Sequence, residues 1–193
     1  MKVAIVKYNA GNVQSVIYAL QRLGLEPELT DDIEYIQQAD KVIFPGQGEA
    51  SSAIRYLKNR QLDELIINLK QPVLGICIGL QLMCSHSEEG NTPCLGIFNE
   101  KVKKFPPKNK VPHIGWNTLE TREGKLLEGL SDEAYLYYVH SYYAELGPET
   151  VGETHYILPF SAVMEKDNFY AIQAHPEKSG KDGERILKNF LAL

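Results

Sequence analysis

The fold class of this chain is best predicted from residues 73–83, Val73-Leu74-Gly75-Ile76-Cys77-Ile78-Gly79-Leu80-Gln81-Leu82-Met83. The first four of these residues are a continuous apolar run, which is typical of a parallel strand buried on both faces. Residues 80–83 indicate the first turns of a helix. Cys77 therefore lies between two glycines at a predicted junction of strand and helix, the setting in which a sharp turn exposes a nucleophilic side chain.

The same alternation begins near residue 1. Residues 3–6 predict a second buried strand, and apolar residues then recur at spacings of three and four between a helix cap at Asn12 and a stop signal at Gly24. An apolar segment around residues 25–29 follows. Strand, helix and strand in this order predict a βαβ unit.

A third unit lies between these two. Residues 41–44 predict a short strand that ends in the loop Pro45-Gly46-Gln47-Gly48, and helical periodicity then extends from Ile54 to Leu69. Repeated units of this kind predict an α/β fold with an open, mostly parallel sheet and helices on both faces. Short tyrosine-rich segments between residues 95 and 170 predict added antiparallel strands, and an amphipathic helix is expected from about Asp182.

The composition is that of a single globular domain over residues 1–193. With 44% hydrophobic and 23% charged residues, the chain is neither disordered nor collagen-like, and a net charge of −5 gives no basic surface for nucleic acid. The longest apolar stretch, residues 73–84, is far shorter than the roughly 20 residues that span a bilayer. The first apolar run is also too short for a signal peptide. We expect a cytoplasmic protein without nucleic-acid or membrane partners.

The three cysteines, Cys77, Cys84 and Cys94, have neither a disulfide pattern nor a zinc pattern, and we expect no metal. At Cys77 the glycines allow close backbone approach, and the N–H groups of the following helix favour the thiolate. We interpret Cys77 as the nucleophile, with a buried structural role as the alternative. Cys84 and Cys94 lack this setting, so packing roles are expected for both.

A thiolate nucleophile needs a base, and the base needs an orienting group. Residues 168–174 predict a late strand that leads into His175-Pro176-Glu177. The proline restricts its own φ and the residue before it, so both side chains are held in an extended turn at a strand end. The other histidines, which stay open as alternative bases, are His86, His113, His140 and His155.

An oxyanion that forms during acyl transfer also needs donors. The backbone N–H of Ile78, directly after the nucleophile, is one candidate, and the loop of residues 45–48 offers a second. This loop lacks the Lys-Ser/Thr pair of a phosphate-binding P-loop, so we do not expect it to bind phosphate.

Three motifs resemble those of the class I glutamine amidotransferases: residues 75–81, the loop of residues 45–48, and His175-Pro176-Glu177. The resemblance extends over almost the whole chain. It implies that Cys77 attacks the side-chain amide of glutamine, that His175 relays the proton and that Glu177 orients His175. A glutamyl thioester would form as ammonia leaves, and water would release glutamate.

The resemblance also implies a substrate site and no cofactor. The backbone amides of Gln47 and Ile78 would form the oxyanion hole. The residues that would line the glutamine pocket are Gly48, Gln81, Glu89, Ser141 and Tyr142. The sequence departs from the usual family pattern at Gln47, where Val is common, and at Ala174, where Phe is common.

Within the family, four further motifs are similar to those of the glutaminase subunits of imidazole glycerol phosphate synthases in histidine biosynthesis. These motifs are residues 8–16, 112–117, 138–143 and 177–180. The similarity implies a heterodimer with a (β/α)₈ barrel cyclase that receives ammonia through a channel. It places Asn12, Trp116, Asn117 and Lys178 at the subunit interface.

Three other functions stay open. The chain could serve another amidotransferase, such as the one in anthranilate or pyridoxal phosphate synthesis, but the Ile114-Gly115-Trp116-Asn117 motif disfavours this. A non-catalytic module is disfavoured by the intact Cys77, His175 and Glu177. A cysteine peptidase would leave Gln81 and the other glutamine-pocket motifs unexplained.

Overall fold

The computed structural model describes residues 1–8, 11, 13–46, 48–120 and 123–193. The strands are β1 Val3–Val6, β2 Glu28–Thr30, β3 Lys41–Phe44, β4 Val73–Ile76, β5 His86–Ser87, β6 Thr92–Pro93, β7 Lys101–Lys104, β8 His113–Thr118, β9 Tyr135–His140, β10 Tyr142–Ala144, β11 Thr150–Tyr156, β12 Leu158–Lys166 and β13 Phe169–Ile172. The helices are α1 Val13–Arg22, α2 Ile33–Gln37, α3 Ala50–Asn59, α4 Leu62–Asn68, α5 Ile78–Met83 and α6 Gly180–Ala192. In the part of the chain described, no helix is both long and apolar enough to cross a membrane.

Eleven strands form the main sheet, in the order β2-β1-β3-β4-β13-β12-β10-β7-β5-β6 with β11 added on β12. The first five strands in this order are parallel, and β12 and β10 follow as antiparallel neighbours. Strands β8 and β9 form a separate antiparallel pair, called the β8–β9 ribbon below. The structure confirms the predicted open, mostly parallel sheet with added antiparallel strands.

Helices cover both faces of the sheet because its central strands are apolar on both sides. Val42 and Phe44 of β3 pack into one core cluster with residues of α2, α3, α4 and α5. Ile43, between them in the sequence, packs into a second cluster with α1 and α6. This alternation follows from the twofold periodicity of a strand, which sends successive side chains to opposite faces.

The helices differ from the predictions in three places. The periodic stretch from Ile54 to Leu69 forms two helices instead of one, and the break contains Gln61 in the left-handed region with φ 58°. Helix α6 begins at Gly180, two residues before the expected start at Asp182. The short helix α2, whose first turn is capped by the side chain of Asp32, was not predicted. The predicted cap Asn12 lies outside the described residues.

Candidate active site

Cys77 lies between β4 and α5, as the sequence predicts, and its backbone has φ 52° and ψ −105°. A positive φ is unfavourable for a residue with a side chain, so the surrounding structure must hold it. The backbone N–H of Cys77 donates a 2.8 Å hydrogen bond to the carbonyl of Ile172 in β13. At Gly79 an added Cβ would lie 2.1 Å from the carbonyl oxygen of Phe44, so glycine is required for β3 and α5 to approach this closely.

His175 and Glu177 form a buried pair immediately after β13. The His175 Nδ1 atom lies 2.8 Å from the Glu177 Oε1 atom, and both side chains are 1% exposed. Pro176 begins a short 3₁₀ turn, which keeps the two side chains together. The backbone fixes the turn further, because the N–H of His175 donates to the Tyr137 carbonyl of β9 at 2.8 Å. The structure therefore has the predicted turn at the strand end, extended at His175 but 3₁₀ and not extended from Pro176 onward, and it brings His175 and Glu177 into contact.

The protonation of His175 depends on its two neighbours. Burial lowers the pKa of His175, but the negative charges of the Cys77 thiolate and the Glu177 carboxylate outweigh it and raise this pKa to about 10. The Nδ1 atom is engaged by Glu177, while the buried Nε2 atom has no hydrogen-bond partner among the described residues. The arrangement favours an imidazolium next to the Cys77 sulfur, with Nε2 available for proton transfer.

The alternative histidines lie in different surroundings. Burial lowers the pKa of His113 to about 4 and that of His140 to about 3, so both imidazoles are neutral at pH 7. His86, in β5, bonds to the side chain of Asn91, and His155 is exposed. His175 is thus the histidine that combines a raised pKa with a carboxylate partner.

A cavity of about 300 Å³ opens above Cys77. Its lining residues are Gly48, Cys77, Ile78, Gln81, Glu89, Pro112, Val139, His140, Ser141 and Tyr142. All five predicted glutamine-pocket residues belong to this lining. Glu89 supplies a carboxylate suited to an α-ammonium group, and its Oε2 atom also accepts a 2.8 Å hydrogen bond from the Ala50 N–H.

The donors predicted for the oxyanion hole are described only in part. Ile78 is the first residue of α5, so its N–H belongs to the free N–H groups of a helix start and lies next to Cys77. The loop after β3 reaches this point, since a Cβ on Gly46 would lie 2.8 Å from the Ile78 nitrogen. Gln47 lies outside the described residues, and its amide stays a prediction.

The predicted interface residues lie near the turn that contains His175. Trp116 is 53% exposed, and Asn117 and Lys178 are half-buried. Trp116 stands opposite Tyr137 in the β8–β9 ribbon, and the Tyr137 N–H donates to the Ser179 Oγ atom at 2.9 Å. Asn12, the fourth predicted residue, lies outside the described residues.

The other two cysteines differ from Cys77. Burial raises the pKa of Cys84 well above its ordinary value and that of Cys94 to about 12, as expected for thiols with packing roles. Across residues 1–8, 11, 13–46, 48–120 and 123–193, no group of three or more His, Cys, Asp or Glu side chains is placed to hold a metal ion.

Gln173 is a residue at the site for which the sequence predicted no role. It is fully buried, and its Nε2 atom lies 3.6 Å from the Cys77 Sγ atom. A polar residue at the end of an otherwise apolar strand, two positions before His175, was the available signal, because residues two apart in a strand face the same side.

The family of the chain follows from its sequence. Residues 4–193 match the family profile described as Glutamine amidotransferase class-I. The chain belongs to the class-I glutamine amidotransferases. This amidotransferase is 60% identical to the imidazole glycerol phosphate synthase subunit HisH of Bacteroides thetaiotaomicron, with 100% of each chain covered. It is 43% identical to the protein of the same name from Yersinia pseudotuberculosis, again over 100% of both chains.

Solved structures agree with the fold of this amidotransferase. A putative GMP synthase subunit from Thermoplasma acidophilum has a TM-score of 0.78 at 20% identity, covering 100% of this chain and 93% of that one. A crystal structure described as a glutamine amidotransferase has a TM-score of 0.73 at 20% identity, covering 98% and 97%. At this identity the likeness concerns the fold alone.

Proposed function

We propose that the chain is the glutaminase subunit of imidazole glycerol phosphate synthase, which hydrolyses glutamine and delivers the ammonia to a partner subunit in histidine biosynthesis. The names of the full-length relatives at 60% and 43% identity support this function. The observation that carries the chemistry is the buried His175–Glu177 pair, whose histidine interacts with Cys77 in the lining of the cavity.

The proposed reaction proceeds through a thioester. The Cys77 sulfur attacks the side-chain amide carbon of glutamine, and the negative charge that develops on oxygen is stabilised by backbone N–H groups, including that of Ile78. His175 donates its proton to the departing nitrogen, which leaves as ammonia. His175 then removes a proton from water, and the hydroxide displaces the sulfur to give glutamate and the free thiolate.

Glu177 would hold His175 in the required orientation. Its carboxylate accepts from Nδ1 and leaves Nε2 for both proton transfers. The remaining cavity residues would bind the amino-acid end of glutamine, with Glu89 at the ammonium group and the Ser141–Tyr142 segment also lining the pocket.

The partner subunit is proposed to be a (β/α)₈ barrel cyclase that forms a heterodimer with this chain. The outer face of the β8–β9 ribbon supports this assignment, because Ile114 and Trp116 are exposed and form an apolar surface. Val139, which pairs with Ile114 in the same ribbon, lines the cavity. A partner on this surface would cover the mouth of the site, where ammonia must leave.

Replacing Cys77 by Ala tests the nucleophile in the assembled synthase. Synthesis from glutamine should fall by at least about 1,000-fold, because no thioester can form. Synthesis from added ammonium salts should persist, since the cyclase chemistry belongs to the partner. Loss of both activities in a folded, assembled complex would contradict the proposal.

Glutamate release tests the pathway. The purified chain should hydrolyse glutamine slowly alone and much faster when mixed with the cyclase and its ribotide ligand. A rate that the cyclase and ligand leave unchanged would reject the synthase assignment and favour a different acceptor enzyme.

A further inference from the structure

We propose that Gln173 is a fourth polar residue of the nucleophile site, whose side-chain N–H stabilises the Cys77 thiolate and fixes the position of the sulfur. The proposal rests on the proposed function in one respect, namely that Cys77 is the nucleophile. It gives a role to a fully buried amide that the Cys77, His175 and Glu177 chemistry does not use.

The pairing of the central strands places Gln173 beside Cys77. Ile172 of β13 pairs with Ile76 of β4 in parallel register. The residues that follow them, Gln173 and Cys77, therefore lie side by side. The backbone holds both positions, because the Cys77 N–H donates to the Ile172 carbonyl and the Gln173 N–H donates to the Ala162 carbonyl, each at 2.8 Å. Gln173 is therefore fixed by strand neighbours on both sides.

A buried hydrogen-bond network determines which end of the Gln173 amide faces the sulfur. One atom of the Gln81 amide lies 2.9 Å from the Tyr142 carbonyl oxygen, which can only accept, so this atom is the donor Nε2. The same Nε2 atom lies 3.0 Å from Gln173, whose facing atom must then be the acceptor Oε1. The Gln173 Nε2 atom consequently points to the Cys77 sulfur.

An amide N–H in this position favours the thiolate. It donates to sulfur and cannot accept the thiol proton, so it stabilises the charged form and not the neutral one. Apart from His175, the acceptor that faces a Cys77 S–H is the Val139 carbonyl, which is more distant at 3.9 Å. Because Gln173 is fully buried, its hydrogen bond acts in a medium of low polarity, where such bonds to charged groups are stronger.

Packing alone does not explain a glutamine at this position. An apolar side chain of similar volume, such as methionine, would fill the same space without burying an amide. The amide is instead satisfied at its oxygen by Gln81 and directed at its nitrogen toward the reacting atom. The network thus ends at the nucleophile.

The test measures alkylation of the full chain by iodoacetamide between pH 5 and 10, with the modified residue identified by peptide mass spectrometry. The other two thiols interfere little, because burial raises the pKa of Cys84 and of Cys94, the latter to about 12. Alkylation of the unsubstituted chain near pH 7 should occur at Cys77 and vanish in Cys77→Ala. The readout requires no glutamine turnover.

Gln173→Met should slow alkylation of Cys77 about 10-fold at pH 7, the effect of one lost hydrogen bond to a charged group. The rates of variant and unsubstituted chain should differ less as the pH rises, because a donor to the sulfur changes the fraction of thiolate and a more basic solution removes the thiol proton without its help. A role limited to packing would instead lower the rate by the same factor at every pH, or leave it unchanged. Either of these results overturns the proposal.

Two further samples keep the test decisive. Gln173→Asn retains the buried amide but withdraws its N–H from the sulfur, so it should show the same pH-dependent slowing. It replaces the methionine variant if that variant does not fold. The control is Gln71→Met, which removes a 2.8 Å hydrogen bond to the Ile36 carbonyl far from the site and should leave alkylation unchanged.

A measurement on the unsubstituted chain complements the variants. Alkylation of Cys77 removes the thiolate, so the side-chain amide protons of Gln173 should shift in an NMR spectrum, and unmoved resonances would count against the hydrogen bond. Glutamine-dependent synthesis that survives Cys77→Ala in the assembled synthase would contradict Cys77 as the nucleophile, and with it the proposed function. If Cys77 is alkylated in both Gln173 variants as fast as in the unsubstituted chain at every pH, the Gln173 proposal alone is overturned.

Discussion

In the proposed reaction, proton transfer by His175 depends on the hydrogen bond between its Nδ1 atom and the Glu177 Oε1 atom. The second Glu177 oxygen is buried without a hydrogen-bond partner among the described residues, so this carboxylate has few interactions other than the one with His175. Its negative charge is one of the causes that raise the pKa of His175. Removing the charge should therefore change the chemistry more than the fold.

Glu177→Gln should lower glutamine turnover by at least about 100-fold, because the amide cannot stabilise the imidazolium. The pKa of His175 should fall in this variant, and NMR titration of the imidazole would follow it. Glu184→Gln, which changes an exposed carboxylate in α6, is the control and should leave turnover unchanged. Equal turnover in both variants would remove Glu177 from the mechanism.

At the scale of elements, α6 supports the turn that contains His175. Gly183 lies where this helix crosses the turn, and an added Cβ would lie 2.0 Å from the carbonyl oxygen of Pro176. Helix and turn can approach this closely only because residue 183 has no side chain. The position of the His175–Glu177 pair therefore depends on a residue of α6 that does not touch the cavity.

Gly183→Ala should reduce the free energy of unfolding by about 1–3 kcal/mol, the usual cost of overpacking, and should also lower turnover by displacing the turn. Urea denaturation and glutamate release measure the two effects. Lys181→Ala, two residues earlier in the same helix, should change neither. Full activity in Gly183→Ala would mean that the turn keeps its position without this close contact.

The β8–β9 ribbon is the second element with a prediction of its own. Trp116→Ala should weaken binding of the proposed cyclase subunit on the order of 10- to 30-fold, because a tryptophan buried at an interface contributes strongly to affinity. Thermal stability of the isolated chain should change little. The control is Ile67→Ala, which removes an exposed apolar side chain from α4, away from the ribbon. This variant should bind the partner subunit as tightly as the unsubstituted chain does.

Stability of the whole molecule should depend on pH through Glu100. This buried carboxyl has no hydrogen-bond partner among the described residues, and burial together with the neighbouring Glu149 raises its pKa. A carboxyl whose pKa is higher in the folded state than in the unfolded state loses stabilising free energy as pH rises through the folded value. The folded chain should therefore lose stability through this group above the ordinary range of a glutamate.

Glu100→Gln should abolish that loss, since the amide stays neutral and can donate to Glu149. At pH 7.5 the free energy of unfolding should exceed that of the unsubstituted chain by about 1 kcal/mol, and at pH 4 the gain should disappear. Urea denaturation across this range tests both statements. Glu133→Gln, at an exposed position, should follow the unsubstituted chain, and a parallel pH profile for the two variants would refute the role of Glu100.

The sequence was sufficient for those parts of the molecule that local patterns determine. The buried strands, the Cys77 junction and the His175-Pro176-Glu177 turn have short-range signals, and the rule that sites form at strand ends brings them together. Gln61 has no such signal, because a left-handed residue is usually marked by glycine or asparagine, and the break between α3 and α4 was missed. Gln173 was missed because its role depends on the register of β4 with β13 and on Gln81 from another element.

Strand β13 is synthesised late but pairs in the middle of the sheet, so the sheet cannot be completed until most of the chain has been made. This late strand lies between β4 and β12, in the middle of the sheet. A ribosome that has not yet released residues 169–172 leaves β4 with an apolar, unpaired edge, which is a template for aggregation. The same unfinished chain lacks His175 and Glu177. The nascent chain should therefore need protection from association with other chains. It also cannot release ammonia before β13 and the turn after it have been made.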